Sequence, residues 1–291
     1  MLAHLNKFLN KILIVLLITM FPFSAFSEEK RIDLIKNNWS FNGLFGTFDR
    51  ASLQRGFQVY KEVCSGCHSV QYLSYRNLVE KGGPEFSIEE AKAIASQDEL
   101  EDGPNSNGEM FTRSARLSDK FVKPYPNVQA STAANGGAYP PDMSVLAKAR
   151  SGGADYIYSL LLGYKEAPAG FELDDSVYYN KYMSGNKIKM SEPLYDEMVE
   201  YSDGTLATKE QLAKDVTTFL VWSSEPHLEE QHRMGFKTLL YLIVLISLVY
   251  MSKKKVWSQF NSKEDEQDEE LFDKAERTVT EYEGEDPKSF K

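Results

Sequence analysis

Apolar positions along the 291-residue chain change rhythm several times, and each rhythm predicts a different element. From Asp49 onward, Leu53, Phe57, Tyr60, Cys64 and Cys67 recur at alternating steps of four and three, the spacing of one helical face, with Asp49 placed as N-cap. A second amphipathic helix opens at Thr208-x-x-Gln211, a capping-box pattern. It buries Leu212, Val216, Phe219 and Leu220 at helical spacing and stops at Pro226. Between these helices the chain is punctuated by Lys81-Gly82-Gly83-Pro84, Lys123-Pro124-Tyr125-Pro126, Asn135-Gly136-Gly137, Tyr139-Pro140-Pro141-Asp142 and Ser151-Gly152-Gly153. Such turn signals leave room only for short helices, at Ile88 to Ala95 and Asp155 to Leu162.

Two uninterrupted apolar runs lie outside this region. The first, Ile12 to Phe26, follows Lys7 and Lys11 and ends on Ala25 and Ser27, the layout of an export signal cut before Glu28. The second, Gly235 to Met251, carries no charge after Lys237 and predicts a short transmembrane helix, with Lys237 snorkelling and Trp257 at the far interface. Lys253, Lys254 and Lys255 follow it, whereas Glu229 and Glu230 precede it, so the C-terminus is expected in the cytoplasm. The expected organisation is a signal peptide over 1–27, a periplasmic domain over 28–228, a connector and membrane helix over 229–252, and an acidic cytoplasmic tail over 253–291. The chain is thus expected in the inner membrane as a single-pass protein.

Charge refines this picture. Residues 28–234 hold 22 Lys and Arg against 31 Asp and Glu, a field that disfavours nucleic acid and would attract a basic protein. Asp98, Glu99, Glu101 and Asp102, before Gly103-Pro104, read as a polar loop that is either a docking surface or simply solvated. The tail from Ser262 is acidic and poor in apolar residues, and is expected to be disordered or peripheral.

The chemistry resides in Cys64-Ser65-Gly66-Cys67-His68. C-x-x-C-H is the attachment sequence of a c-type haem, in which the thiols become thioethers and the histidine an axial iron ligand. Cys64 and Cys67 are the only cysteines, so a four-cysteine zinc site has no partners; a redox dithiol does not require the histidine. One covalently attached haem c is therefore expected. N- and C-terminal helices bracketing one haem give the expected fold class: mainly α, a class I cytochrome c-like haem domain with long loop insertions, plus a C-terminal transmembrane helix. For the sixth iron position, His227 and His232 read as exposed linker residues, and Met110, Met143, Met183, Met190 and Met198 stay open as candidates or as core filler.

Beyond the haem motif the chain resembles the cytochrome c1 family, the haem subunits of cytochrome bc1 complexes, over about Asp49 to Trp257. The resemblance is carried by Arg55-Gly56-Phe57-Gln58-Val59-Tyr60-Lys61-Glu62-Val63, Tyr75-Arg76-Asn77-Leu78, Ala138-Tyr139-Pro140-Pro141-Asp142, Tyr156-Ile157-Tyr158-Ser159-Leu160-Leu161, Asp203-Gly204-Thr205, Ala213-Lys214-Asp215-Val216 and Arg233-Met234-Gly235. It implies that Met190, in Lys187-Ile188-Lys189-Met190-Ser191-Glu192-Pro193, ligates the iron with His68, and that Arg150 and Tyr156 hold a haem propionate. It also implies an electron-transfer subunit without substrate-bond chemistry of its own. Its electron would come from a Rieske iron–sulfur protein and pass to a soluble or membrane-bound cytochrome c, with cytochrome b as neighbour in the membrane. The rivals are a membrane-anchored shuttle, an oxidase subunit, or a haem sensor, which would carry a signalling domain. The chain departs from some bacterial members in lacking an extra disulfide, and its tail after Trp257 is longer than the resemblance leads one to expect.

Overall fold

The computed structural model describes residues 32–283, so the predicted signal over 1–27 and the last residues of the tail lie outside the described residues. In chain order the described elements are α1 (Arg50–Val59), continued by a π-helical turn (Tyr60–Cys64), a 3-10 turn (Tyr75–Val79), α2 (Ile88–Ser96), β1 (Glu99–Asp102), β2 (Phe111–Ser114), α3 (Val128–Ala134), α4 (Leu146–Ala149), α5 (Gly153–Leu162), β3 (Tyr178–Tyr179), β4 (Lys187–Ile188), α6 (Lys209–Ser224) and α7 (Leu228–Glu283). The molecule is mostly helical, with two small antiparallel pairs, β1 with β2 and β3 with β4.

The two helices that bracket the domain cross directly. Asp49 caps α1 through the amides of Ala51 and Ser52, and Thr208 caps α6 through the amide of Gln211. Gln211 does not close a capping box; its side-chain amide donates to Asp215 Oδ2 at 2.9 Å. At the crossing, Gly56 allows backbone-to-backbone approach to Asp215, and Phe57 and Tyr60 pack on Phe219 at centroid distances of 5.7 and 5.4 Å. Leu53, Leu212, Val216, Phe219 and Trp222 are all buried here, each contributing about 1.5–3 kcal/mol by leaving water. Asp215, wholly buried, accepts from Arg55 Nε at 2.8 Å and from Ser52 Oγ at 2.6 Å, so its charge is paired as well as hydrogen-bonded.

Three further expectations change. The stretch with Asp98, Glu99, Glu101 and Asp102 is not a loop: Glu99–Asp102 pairs with Phe111–Ser114, and Arg113 bonds both Asp102 and Asp119 across that ribbon. His232 is not a free linker residue, because its Nδ1 lies 3.0 Å from the carbonyl of Gly46; His227 is exposed, as anticipated. The tail is not disordered through its first part, since α7 continues unbroken to Glu283. No glycine or proline occurs between Gly235 and Gly284, and Asp273 pairs with Arg277 one turn on, so nothing local stops helix propagation.

Within α7, Leu228–Ser258 is long and apolar enough to cross a membrane, and none of its most apolar stretch is buried among the described residues. It fits a single-pass anchor.

Candidate haem centre

The Cys64-x-x-Cys67-His68 segment leaves α1 through a change of helical pitch. Ser65 donates its amide to Tyr60 O at 2.8 Å, closing a π turn that inserts one extra residue before the thiols, and Ser65 Oγ bonds Lys61 O at 2.7 Å. The amides of Cys67 and His68 then both reach back to Cys64 O, at 3.1 and 2.9 Å. This tight turn presents the two cysteines and the imidazole together. Cys64 is half-buried and Cys67 exposed, and no disulfide joins them. Burial, then the neighbouring Cys67, pushes the Cys64 thiol up to about 12.

His68 is oriented by a distant loop. Its Nδ1 lies 2.8 Å from Pro141 O; a carbonyl can only accept, so Nδ1 carries the proton and Nε2 keeps its lone pair. Burial lowers the pKa of the ring, which favours the neutral form that ligates metals. The Pro141 loop is itself fixed along the motif. Met143 N donates to Ser69 O at 2.8 Å, Asp142 accepts from Ser69 Oγ at 2.8 Å and Gln71 N at 3.0 Å, and Tyr72 N donates to Ser144 Oγ at 3.1 Å. Two thiols, an imidazole with a bare Nε2 and a carbonyl holding its other nitrogen are the donor set a covalently held haem iron requires, so these residues fit the group.

The five candidate methionines separate by environment. Met110 and Met198 are exposed, and Met143 is buried in the core. Met183 is half-buried, with the Tyr156 hydroxyl 3.6 Å from its sulfur. Met190, also half-buried, lies just beyond β4, where its carbonyl accepts from the Tyr164 hydroxyl at 3.1 Å. The neighbouring Lys189 Nζ is 3.8 Å from where a β-carbon on Gly137 would stand, which sets this segment beside the loop leading to Pro141. Arg150, at the end of α4, is exposed; its guanidinium touches only the carbonyl of Ala149 at 3.4 Å and pairs with no carboxylate among the described residues. Sequence reasoning missed two contributors, the Pro141 carbonyl and Tyr164. The consecutive prolines were visible as a turn signal, but nothing in them marks a carbonyl aimed at a histidine 73 positions away.

A mainly helical domain that presents two thiols and an oriented imidazole, carried on one long apolar helix, defines the class of membrane-anchored haem proteins. Comparison narrows the class: residues 39–260 match the Cytochrome C1 family. "Cytochrome b/c1" of Bradyrhizobium diazoefficiens is 48% identical over 241 residues, which cover 76% of this chain and 35% of that protein. "Cytochrome c1, heme protein, mitochondrial" of Schizosaccharomyces pombe is 46% identical over 236 residues, covering 81% and 76% of the two chains, and "Cytochrome c1" of Rhodospirillum rubrum is 42% identical over 250 residues, covering 80% and 91%. The chain thus spans about a third of the Bradyrhizobium protein and most of the other two. It belongs to the cytochrome c1 family, the haem subunits of bc1 complexes, which act in electron transfer.

Proposed function

We propose that this chain carries single electrons from a Rieske iron–sulfur protein to a cytochrome c, on one covalently attached haem c, beside cytochrome b in the inner membrane. The observation that carries the reading is the Nδ1 bond of His68 to Pro141 O, which orients a neutral imidazole next to the paired thiols. The direct crossing of α1 and α6 supports a class I cytochrome c-like fold, with the long middle segments as insertions. When bound, the haem supplies a one-electron iron couple.

The protein residues supply everything around that couple. Cys64 and Cys67 would tether the group, His68 and Met190 would ligate its iron, and Tyr164 holds the Met190 backbone in place. Arg150 and Tyr156 would pair with a haem carboxylate, a match of guanidinium fork and phenol to an anion. The subunit serves the reductase by electron transfer, without substrate-bond chemistry of its own. The haem domain faces the periplasm and the lysine cluster the cytoplasm.

The deciding experiment is purification from membranes under mild detergent. Co-purification with a cytochrome b and a Rieske protein, with haem remaining on this chain after denaturing electrophoresis, is the expected result. Isolation without either partner would favour a membrane-anchored shuttle.

A further inference from the structure

The segment just before α1 forms a closed turn with an apolar tip. Thr47 N donates to Ser40 O at 3.0 Å and Gly46 N to Gly43 O at 3.2 Å. Gly43 adopts a φ of 85°, and a β-carbon on Gly46 would stand 2.3 Å from the Phe41 carbonyl, so the turn depends on both glycines. Phe41 and Phe48 are buried at its base with ring centroids 5.2 Å apart. At the tip, Leu44 is 57% and Phe45 71% exposed. A large aromatic ring this exposed, on a turn this well rooted, calls for a partner.

The turn is locked to the anchor helix at three successive levels. Glu229 accepts from Phe48 N at 2.8 Å and from both Arg50 Nη atoms at 2.8 and 2.7 Å; His232 Nδ1 meets Gly46 O at 3.0 Å; and Phe45 packs edge-on against Phe236 at 5.9 Å. Residues 229, 232 and 236 share one helical face, so the turn runs down α7 toward the membrane and reaches Phe236 at its tip. The uncharged part of the span, Thr238 to Ser252, is short: at 1.5 Å per residue it covers about 22 Å, against about 30 Å of hydrocarbon. The shortfall draws the flanking residues into the boundary, with Lys237 snorkelling outward and Phe236 at headgroup level. Whatever depth Phe236 takes, Phe45 shares.

We propose that Leu44 and Phe45 form a second membrane contact, an apolar tip seated in the headgroup–acyl boundary of a phospholipid leaflet beside the anchor helix. This rests on reading α7 as a membrane span. The haem domain is then mounted at two points rather than one, which fixes its tilt over the bilayer as a single helix alone would not.

The test uses the full haem-loaded protein, both alone and in its membrane complex, in nanodiscs of phosphatidylcholine and phosphatidylglycerol. Cys64 and Cys67 are the only native cysteines. With both consumed by haem, Phe45→Cys and Leu44→Cys each carry a single thiol for a bimane label. Lipids brominated near the glycerol end of the chains should quench both labels at least about twofold and leave a Ser106→Cys label in the polar loop unchanged. A Leu245→Cys label, mid-span, should respond best to bromines deep in the chains. Quenching of Leu245→Cys without quenching at 44 and 45 overturns the proposal alone. Quenching at 44 and 45 in the isolated subunit but not in the complex overturns it too, because a neighbouring subunit then covers the tip. A silent Leu245→Cys overturns the span reading and the proposal with it.

Discussion

Gly56 and Asp215 meet backbone to backbone: a β-carbon on Gly56 would stand 2.0 Å from the Asp215 carbonyl oxygen and 2.9 Å from Phe219 Cβ. Neither obstacle is a flexible side-chain end, so the helices must separate to admit even a methyl group. Gly56→Ala is expected to destabilise the domain by about 1–3 kcal/mol, lowering Tm by roughly 2–4 °C per kcal/mol for a domain of this size. Gly235→Ala, where a β-carbon meets nothing within 4 Å among the described residues, is expected to leave the domain's Tm unchanged. Thermal unfolding of the two variants, followed by circular dichroism, checks the contrast.

The same crossing gives an acid-sensitive edge. The Thr205 amide, followed by Arg55, holds the Asp203 carboxyl down at about 2. A carboxyl depressed in the folded state contributes stability that is complete above its unfolded value near 3.9 and is lost as pH falls through the folded value. Asp203→Asn should therefore lower stability at neutral pH and flatten its fall between about pH 4 and pH 2, the variant and parent converging at the acid end. Far-ultraviolet circular dichroism across that range measures it, and an unchanged acid profile would count against the pairing.

Gly56, Asp215 and Arg55 lie on helices that periodicity had already placed, with Asp49 and Thr208 as N-caps and Pro226 as a stop, because an amphipathic face leaves its period in the sequence. The C-x-x-C-H chemistry was equally legible. What the pattern could not show was backbone geometry. The π turn at Tyr60–Cys64 adds one residue without changing any residue type, and the Pro141 carbonyl reaches His68 across 73 positions through an atom common to every residue. Charge misled in two places. Asp98 looked like a free surface acid yet bonds Lys61 Nζ and the Tyr75 hydroxyl, both at 2.5 Å, and the acidic tail looked too polar to order yet contains no helix breaker before Gly284.

Topology follows from the lysine cluster after the span. A reporter fused after Lys255 should remain cytoplasmic, and one fused near Glu225 should be exported. Alkaline phosphatase activity of the two fusions tests this, and export of both would remove the anchor.

Docking of a basic cytochrome c should slow as ionic strength rises, because steering by an acidic surface is screened. The structure divides the four acids of this region. Asp98 and Asp102 are engaged internally by Lys61, Tyr75 and Arg113, whereas Glu99 and Glu101 are exposed and form no ion pair among the described residues. Glu99→Gln with Glu101→Gln should thus flatten the salt dependence as far as neutralising all four does. Asp98→Asn alone should chiefly disturb the fold around Tyr75. Stopped-flow oxidation rates over a series of salt concentrations decide the matter, and an unchanged slope in the double variant would make the ribbon merely solvated.

The iron's sixth ligand is the most specific expectation. Met190 and Met183 are the two half-buried candidates, but the sulfur of Met183 is already approached by the Tyr156 hydroxyl, whereas Met190 is held through its backbone by Tyr164 and its sulfur has no hydrogen bond among the described residues. Met190→Leu keeps the volume and removes the thioether, so the fold should survive while the low-spin spectrum is lost or altered and the midpoint potential falls. Met183→Leu should cost packing within about 1.5 kcal/mol and the contact to Tyr156, and leave the spectrum intact. Met110, Met143 and Met198, placed on the surface or in the core, should likewise leave it intact. Visible spectra and potentiometric titrations of the five purified variants give the answer directly. If Met183→Leu loses the low-spin spectrum while Met190→Leu keeps it, Tyr156 must release the Met183 sulfur when haem binds, and Met190 becomes a packing residue held by Tyr164.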